Sequence, residues 1–298
     1  MTNTRRQFIL ATGAAALALR AQGRSPFRYS ICNEIFEKWD FAKACKAARQ
    51  MGYTGLEIAP FTLGDSVDDI SAARRKELRD IMRSEGLTFA GLHWILVTPK
   101  WLHITTADKS VRERSWEYFG KLVDFCGDLG RDGKMVMGSP KQRGTQGLSR
   151  QEATKHVAEG LAKLAPRAAA RRATICIEAL DHSQTDVINT LAEAVAVVEQ
   201  VKHPSIQTMF DFHNIPDETE KSEVLVRRYR SMIRHVHINE MDGRHPGTGK
   251  FDFLPVLRVL KETKYAGWVS LEVFDFKPGA DKIGSEAMAY LKKLEAGL

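Results

Sequence analysis

The chain has 298 residues, 43% apolar and 27% charged, which excludes a disordered or fibrous protein and is enough for one large domain. Its formal charge of +7 is uneven, because residues 1–24 hold Arg5, Arg6, Arg20 and Arg24 with no acid and leave only +3 for the rest. With no basic stripe interleaved with aromatics, this balance argues against a nucleic-acid partner.

The first segment reads as a targeting signal. Thr4-Arg5-Arg6-Gln7-Phe8-Ile9-Leu10 resembles a twin-arginine export motif. The apolar stretch after it, Ile9 to Leu19, is too short to span a bilayer as a mature helix. No later stretch is long enough either, so no membrane anchor is expected. Residues 1–24 are therefore expected to be a twin-arginine signal peptide that sends the folded protein to the periplasm or beyond. Residues 25–298 are expected to form the catalytic domain.

From residue 28 onward, short apolar runs alternate with amphipathic segments. Strand-like runs fall at about 28–34, 55–60, 88–96, 134–139, 174–180, 206–213, 233–239 and 268–274. They are rich in Ile, Val, Phe and Met, as buried parallel strands should be. Helix-like segments such as AKACKAARQMG, RRKELRDIMRSEG, SWEYFGKLVDFCGDLG, LAEAVAVVEQV and LPVLRVLKETK lie between them, and several end in glycine. Eight such pairs predict an α/β fold, a (β/α)8 TIM barrel. A doubly wound sheet would want a Gly-rich turn after its first strand, where this chain has NEIFEKWD. Residues 97–112 and 240–252 read as long strand-to-helix loops, the kind that carry function at a barrel top. Cys32, Cys45, Cys126 and Cys176 lack CxxC spacing and sit among apolar neighbours, so buried free thiols are expected.

The chemistry gathers at strand ends. Glu178 (TICIEAL), Asp211 (MFDFHN), His237 (HVHINE) and Glu272 (VSLEVF) each end an apolar run, with separations of 33, 26 and 35 residues. One strand–helix repeat of such a barrel takes about 30 residues, so the four converge at its mouth. A carboxylate closing a buried strand is costly alone, and a shared cation neutralises all three acids at once. Three hard oxygens and one nitrogen suit one divalent cation, Mn, Mg or Co, with Zn also allowed. Such a cation would polarise a substrate carbonyl, while one carboxylate removes the adjacent proton and a second returns one. Other strand-end residues are candidates for binding the substrate: Glu57, His93, Trp94 and His213, the last placed two residues after Asp211 so as to share its face. His235 is expected beneath His237, and Lys141 and Arg143 in a solvated loop.

These motifs resemble the xylose isomerase-like TIM barrel family, the sugar isomerases and epimerases that also include endonuclease IV, and are most similar to the ketose 3-epimerases. The likeness covers about residues 27–296. It rests on LEIAPFTLG (56–64), IEALDHSQTDVINT (177–190), HVHINEMDGRHPGTG (235–249) and SLEVF (270–274). It implies Glu178, Asp211, His237 and Glu272 as metal ligands, Glu178 and Glu272 as acid and base on opposite faces of the sugar, and Arg244 as a substrate contact. The chain departs from the epimerase pattern in three places. It has Asp181-His182 and Gln184 where Asn-Arg and a second glutamate are usual. His213 stands two rather than three residues after the aspartate. Arg244 comes one residue late.

The leading expectation is a metal-dependent isomerase or epimerase of a keto-sugar or sugar derivative. A lyase or hydrolase of 3-keto-glycosides is the alternative, ahead of an endonuclease IV-type phosphoesterase and a non-catalytic sugar-binding protein. The expected partner is a small sugar, and a homo-oligomer is compatible with the sequence.

Overall fold

A computed structural model describes residues 25–298; the expected signal segment lies outside the described residues. Eight parallel strands close a barrel in chain order. They are β1 (Arg28–Cys32), β2 (Gly55–Ile58), β3 (Thr88–Leu92), β4 (Lys134–Met137), β5 (Thr174–Ile177), β6 (Ile206–Asp211), β7 (Ile233–Ile238) and β8 (Trp268–Leu271). The helices that follow them are α1 (Phe41–Gln50), α2 (Ala72–Ser84), α3 (Lys109–Leu129), α4 (Arg150–Ala170), α5 (Leu191–Val201), α6 (Ser222–Tyr229), α7 (Leu254–Glu262) and α8 (Ala280–Ala296). β8 pairs with β1 from Arg28↔Trp268 to Ile31↔Leu271 and closes the ring. The (β/α)8 barrel expected from the alternation is the fold.

Local chemistry sets the helix starts. Asp40, Ser71, Asp108, Ser149 and Thr190 cap α1 to α5, each side chain accepting a backbone N–H of the first turn. Ser149 and Glu152 complete a reciprocal capping box.

Side-chain alternation divides each strand between two cores. Ile31, Leu56, Ile58, Ile175, Ile177, Ile233, Val236, Val269 and Leu271 face the helices and join the main apolar core. Full burial contributes roughly 1.5–3 kcal/mol for each such side chain. The inward positions are mostly polar. Glu57 on β2 reaches His235 on β7 across the barrel, and the Cys32 thiol lies 3.7 Å from both Glu57 and Ser270. Val136, Cys176 and Met209 form a small apolar cluster of their own. All four cysteines are buried and unpaired, as expected.

β3 and β4 pass so close that a Cβ at Gly91 would stand 1.9 Å from the Lys134 carbonyl oxygen. The observed strands end earlier than the apolar runs suggest. β3 stops at Leu92, β5 at Ile177 and β8 at Leu271, so His93, Glu178 and Glu272 are the first residues beyond the ladder. The long loops expected after β3 and β7 are present, from residue 93 to 108 and from 239 to 253.

Candidate metal centre

Glu178 follows β5, Asp211 ends β6, His237 is the next-to-last residue of β7, and Glu272 follows β8. One ligand atom from each lies within 4.8 Å of the others, and all four residues are buried. His237 Nδ1 is 2.9 Å from Glu272 Oε2 and 4.0 Å from Glu178 Oε1. Yet Nδ1 makes no hydrogen bond of acceptable geometry. Gly138, at the end of β4, leaves room for Glu178, since a Cβ there would sit 2.1 Å from its Oε2. The void bordered by Glu178 and Glu272 measures about 20 Å³, room for one water-sized occupant.

Electrostatics fit a cation. Burial, then Glu272 and Asp211, pushes the Glu178 carboxyl well above its ordinary range. Burial and Glu272 push Asp211 up to about 6. Burial also works to raise Glu272, but His237 outweighs it and holds that carboxyl below its usual value. Three buried carboxylates that hold protons or borrow an imidazolium are what a shared divalent ion would relieve. The donor set, three hard oxygens and an imidazole nitrogen whose hydrogen-bonding capacity is unused, fits Mn²⁺, Mg²⁺ or Co²⁺.

Glu57 was expected to meet substrate. The structure instead buries it completely, against His235 and His237. Its Oε1 lies 3.2 Å from His237 Nε2 and its Oε2 2.8 Å from His235 Nε2. Burial alone would raise this carboxyl, but the two histidines hold it well below its ordinary range. His235 lies beneath His237, as the register suggests, with ring centroids 5.0 Å apart. His93 is likewise fully buried and shares a 2.6 Å hydrogen bond between Nε2 and Glu34 Oε2.

Trp94 does border the mouth. It lines the void beside Glu178 and Glu272 and packs edge-on against Phe274, centroids 6.2 Å apart. Its backbone is left-handed, φ 49°, a conformation that costs a bulky residue about 1–3 kcal/mol and persists only where the surroundings enforce it.

Three other expectations meet a different geometry. β6 stops at Asp211, so strand alternation no longer governs His213. Its N–H donates to Asp211 Oδ1, and its ring packs against Phe274 at 5.0 Å. Arg244 is partly exposed and ion-paired with Asp242 at 2.7 Å. Arg143 is fully buried rather than solvated. It donates to the Met137 carbonyl oxygen, and burial lowers its pKa to about 10 against the pull of Glu178. Lys141 is exposed.

Sequence reasoning missed Asn214 and Glu34. Asn214 Nδ2 donates to Asp211 Oδ2 at 2.8 Å and to Glu178 Oε1 at 3.2 Å. Its Oδ1 accepts from Gln184 Nε2 at 2.6 Å. The spacing held the signal, for Asn214 stands three residues after the aspartate, where a histidine was sought. Gln184 also donates to Asp181 at 2.6 Å, so the altered Asp181–Gln184 stretch forms a polar brace behind the ligands.

The profile of the xylose isomerase-like TIM barrel family matches residues 45–294. A probable ketose 3-epimerase of Synechocystis sp. is 25% identical over 240 residues, 77% of each chain. A 3-dehydro-D-guloside 4-epimerase of Escherichia coli is 22% identical over 240 residues, 80% of this chain and 89% of that protein. The crystal structure of a D-psicose 3-epimerase in the presence of D-fructose superposes with a TM-score of 0.78 at 19% identity, covering 91% of this chain and all of that one. At that identity the superposition speaks for the fold.

Proposed function

The chain belongs to the xylose isomerase-like TIM barrel family, and on that premise we propose that it is a divalent-metal-dependent epimerase or isomerase of a keto-sugar or sugar derivative. The observation that carries this reading is the set of three carboxylates and one imidazole, buried and within 4.8 Å of one another at the carboxyl ends of β5 to β8. That is the face where barrel enzymes work.

Glu178, Asp211, His237 and Glu272 would hold the cation, which would supply Lewis-acid polarisation of a substrate carbonyl. Glu272 removes the proton from the carbon beside that carbonyl, and Glu178 returns one to the opposite face, which inverts the centre. Asn214 keeps the Glu178 carboxylate aimed by donating to its Oε1. Trp94 and Phe274 close over the pair and limit water at the reacting carbon. Elimination from a 3-keto-glycoside would share the first proton abstraction. Epimerisation is preferred because both relatives described above carry epimerase names. Within the four-residue cluster only His237 is an imidazole, which fits poorly with a histidine-rich zinc cluster for phosphoester cleavage.

The test is deuterium exchange. Metal-loaded protein is incubated in D2O with ketohexoses and with a 3-keto-glycoside, and the products are read by NMR. Deuterium beside the carbonyl together with a new epimer supports the reading. Glu272→Gln is expected to keep its metal and lose about 10²–10⁴ in exchange rate. Bond cleavage without epimer formation would favour the lyase, and no exchange with any keto compound would leave only sugar binding.

A further inference from the structure

We propose that the apolar cavity beside the carboxylate cluster is a subsite for the aglycone of a glycoside substrate, and that it takes a flat aromatic group. The inference rests on the keto-sugar reading above and narrows it to sugars that carry a substituent.

The cavity has a volume of about 900 Å³, the scale of sites that enclose drug-sized ligands, about 300–1,000 Å³. A free ketose would leave most of it empty. Phe36, Trp39, Phe61, Trp94, Phe274 and Phe276 line it. Phe61, Phe274 and Phe276 are also among the few large apolar side chains that are exposed in the described residues, at 38%, 41% and 36%. Apolar surface gathered in one concavity, rather than scattered, marks a place where something apolar binds. Aromatic rings favour offset or edge-on contact with another ring.

Two observations join the cavity to the reaction centre. Trp94 and Phe274 line both this cavity and the small void beside Glu178 and Glu272. Glu34 in the cavity wall is buried and bonds His93 through Oε2, while its Oε1 has no partner. Through His93 this carboxylate reaches the reaction centre, since Glu34, His93 and Glu272 offer polar atoms within 4.8 Å of one another.

Charge at the rim opposes a phosphorylated sugar. The lining cations Lys38 and Arg74 are already paired, with Glu37 at 3.8 Å and Glu77 at 2.8 Å. Glu34 and Asp40 add negative charge to the same wall. The chemistry selects a neutral, flat, apolar group.

Binding can be read without turnover, because Trp39 and Trp94 report on the cavity. The metal-loaded full chain is titrated with phenyl β-D-glucopyranoside and with methyl β-D-glucopyranoside, following tryptophan fluorescence. The phenyl glycoside is expected to bind about tenfold tighter, the effect of roughly one good aromatic contact. Phe61→Ala and Phe276→Ala, both at partly exposed positions, are expected to shrink that ratio about threefold each. Equal affinities in the wild type, or a ratio untouched by both variants, would overturn the subsite. Deuterium exchange on free ketoses with no phenyl preference would defeat this inference alone. A phenyl preference without exchange on any keto-sugar would uphold the subsite and defeat the epimerase reading.

Discussion

Glu57 Oε1 lies 3.2 Å from His237 Nε2, while Nδ1 of the same ring points to Glu272 Oε2, 2.9 Å away. The imidazole is thus held between a buried carboxylate below and the ligand cluster above. A carboxylate behind a histidine keeps the proton on the far nitrogen and turns the free lone pair toward the cation. Glu57 is completely buried and meets the cluster through His237.

Glu57→Gln keeps the shape and removes the charge. It is expected to weaken cation binding about 10–100-fold, the usual effect of losing such a support. Titration of the metal-free variant with Mn²⁺ against a chromophoric chelator measures it. Wild-type affinity in that variant would reduce Glu57 to a packing role.

Asp211→Asn is expected to have opposite effects on stability and on binding. In the metal-free protein Asp211 is forced up to about 6 by burial and by Glu272. At pH 7 its buried charge beside Glu272 is therefore unfavourable, and neutral Asn relieves this while its one oxygen still accepts from His213 N–H or Asn214 Nδ2. A gain of about 1 kcal/mol would raise Tm by roughly 2–4 °C for a domain of this size. The same change removes a ligand, so the rise in Tm on adding metal, worth about 2.7 kcal/mol at a hundred times Kd, should largely vanish. A metal-free variant less stable than wild type would contradict the repulsion.

The sign of the pH dependence follows from the same group. A carboxyl whose pKa is raised on folding stabilises the protein below its unfolded value near 4, and that contribution is lost as pH rises through about 6. The advantage of Asp211→Asn over metal-free wild type should therefore grow from pH 4 to pH 7. Cation affinity runs the other way, because bound protons must leave first, and should fall as pH drops through about 6. Thermal melts and metal titrations across that range check both slopes.

The convergence of Glu178, Asp211, His237 and Glu272 could be read from the sequence because each closes an apolar run and the runs recur at the barrel period. The strand alternation that placed His235 beneath His237 held because β7 continues through both. For His213 it has no force, because β6 ends at Asp211, and the ring is placed instead by its packing on Phe274. Glu34 escaped notice because it lies in a short helical turn after β1, and its burial depends on a histidine 59 residues away. Glu57 was visible as a strand-end acid, but only the closed barrel shows that it faces two histidines from β7.

Export is the one expectation that concerns residues 1–24. We propose that Arg5 and Arg6 direct twin-arginine transport. A reporter fused after residue 26 should reach the periplasm, and Arg5→Lys together with Arg6→Lys should hold it in the cytoplasm. Fractionation of both fusions decides it, and normal export of the double variant would remove the assignment.

Asn214 offers the sharpest separation of aiming from ligation. It is not a ligand, yet its amide donates to both Asp211 and Glu178 and is itself fixed by Gln184. A hydrogen bond to a charged group contributes about 1.5–3 kcal/mol. If that interaction tightens in the transition state, its loss lowers kcat by about 10–100-fold. Asn214→Ala should therefore retain its metal while kcat for epimerisation falls and KM changes little. Gln184→Ala, which frees the Asn214 amide without deleting it, should show a smaller loss in the same direction. The donor also favours the ionised form of Glu178, the proton-returning group, so Asn214→Ala should move the alkaline limb of the kcat profile to higher pH. A merely structural role would lower the amount of folded protein and leave that limb in place. Wild-type kcat and an unmoved profile in Asn214→Ala would show that the carboxylates hold their geometry without it.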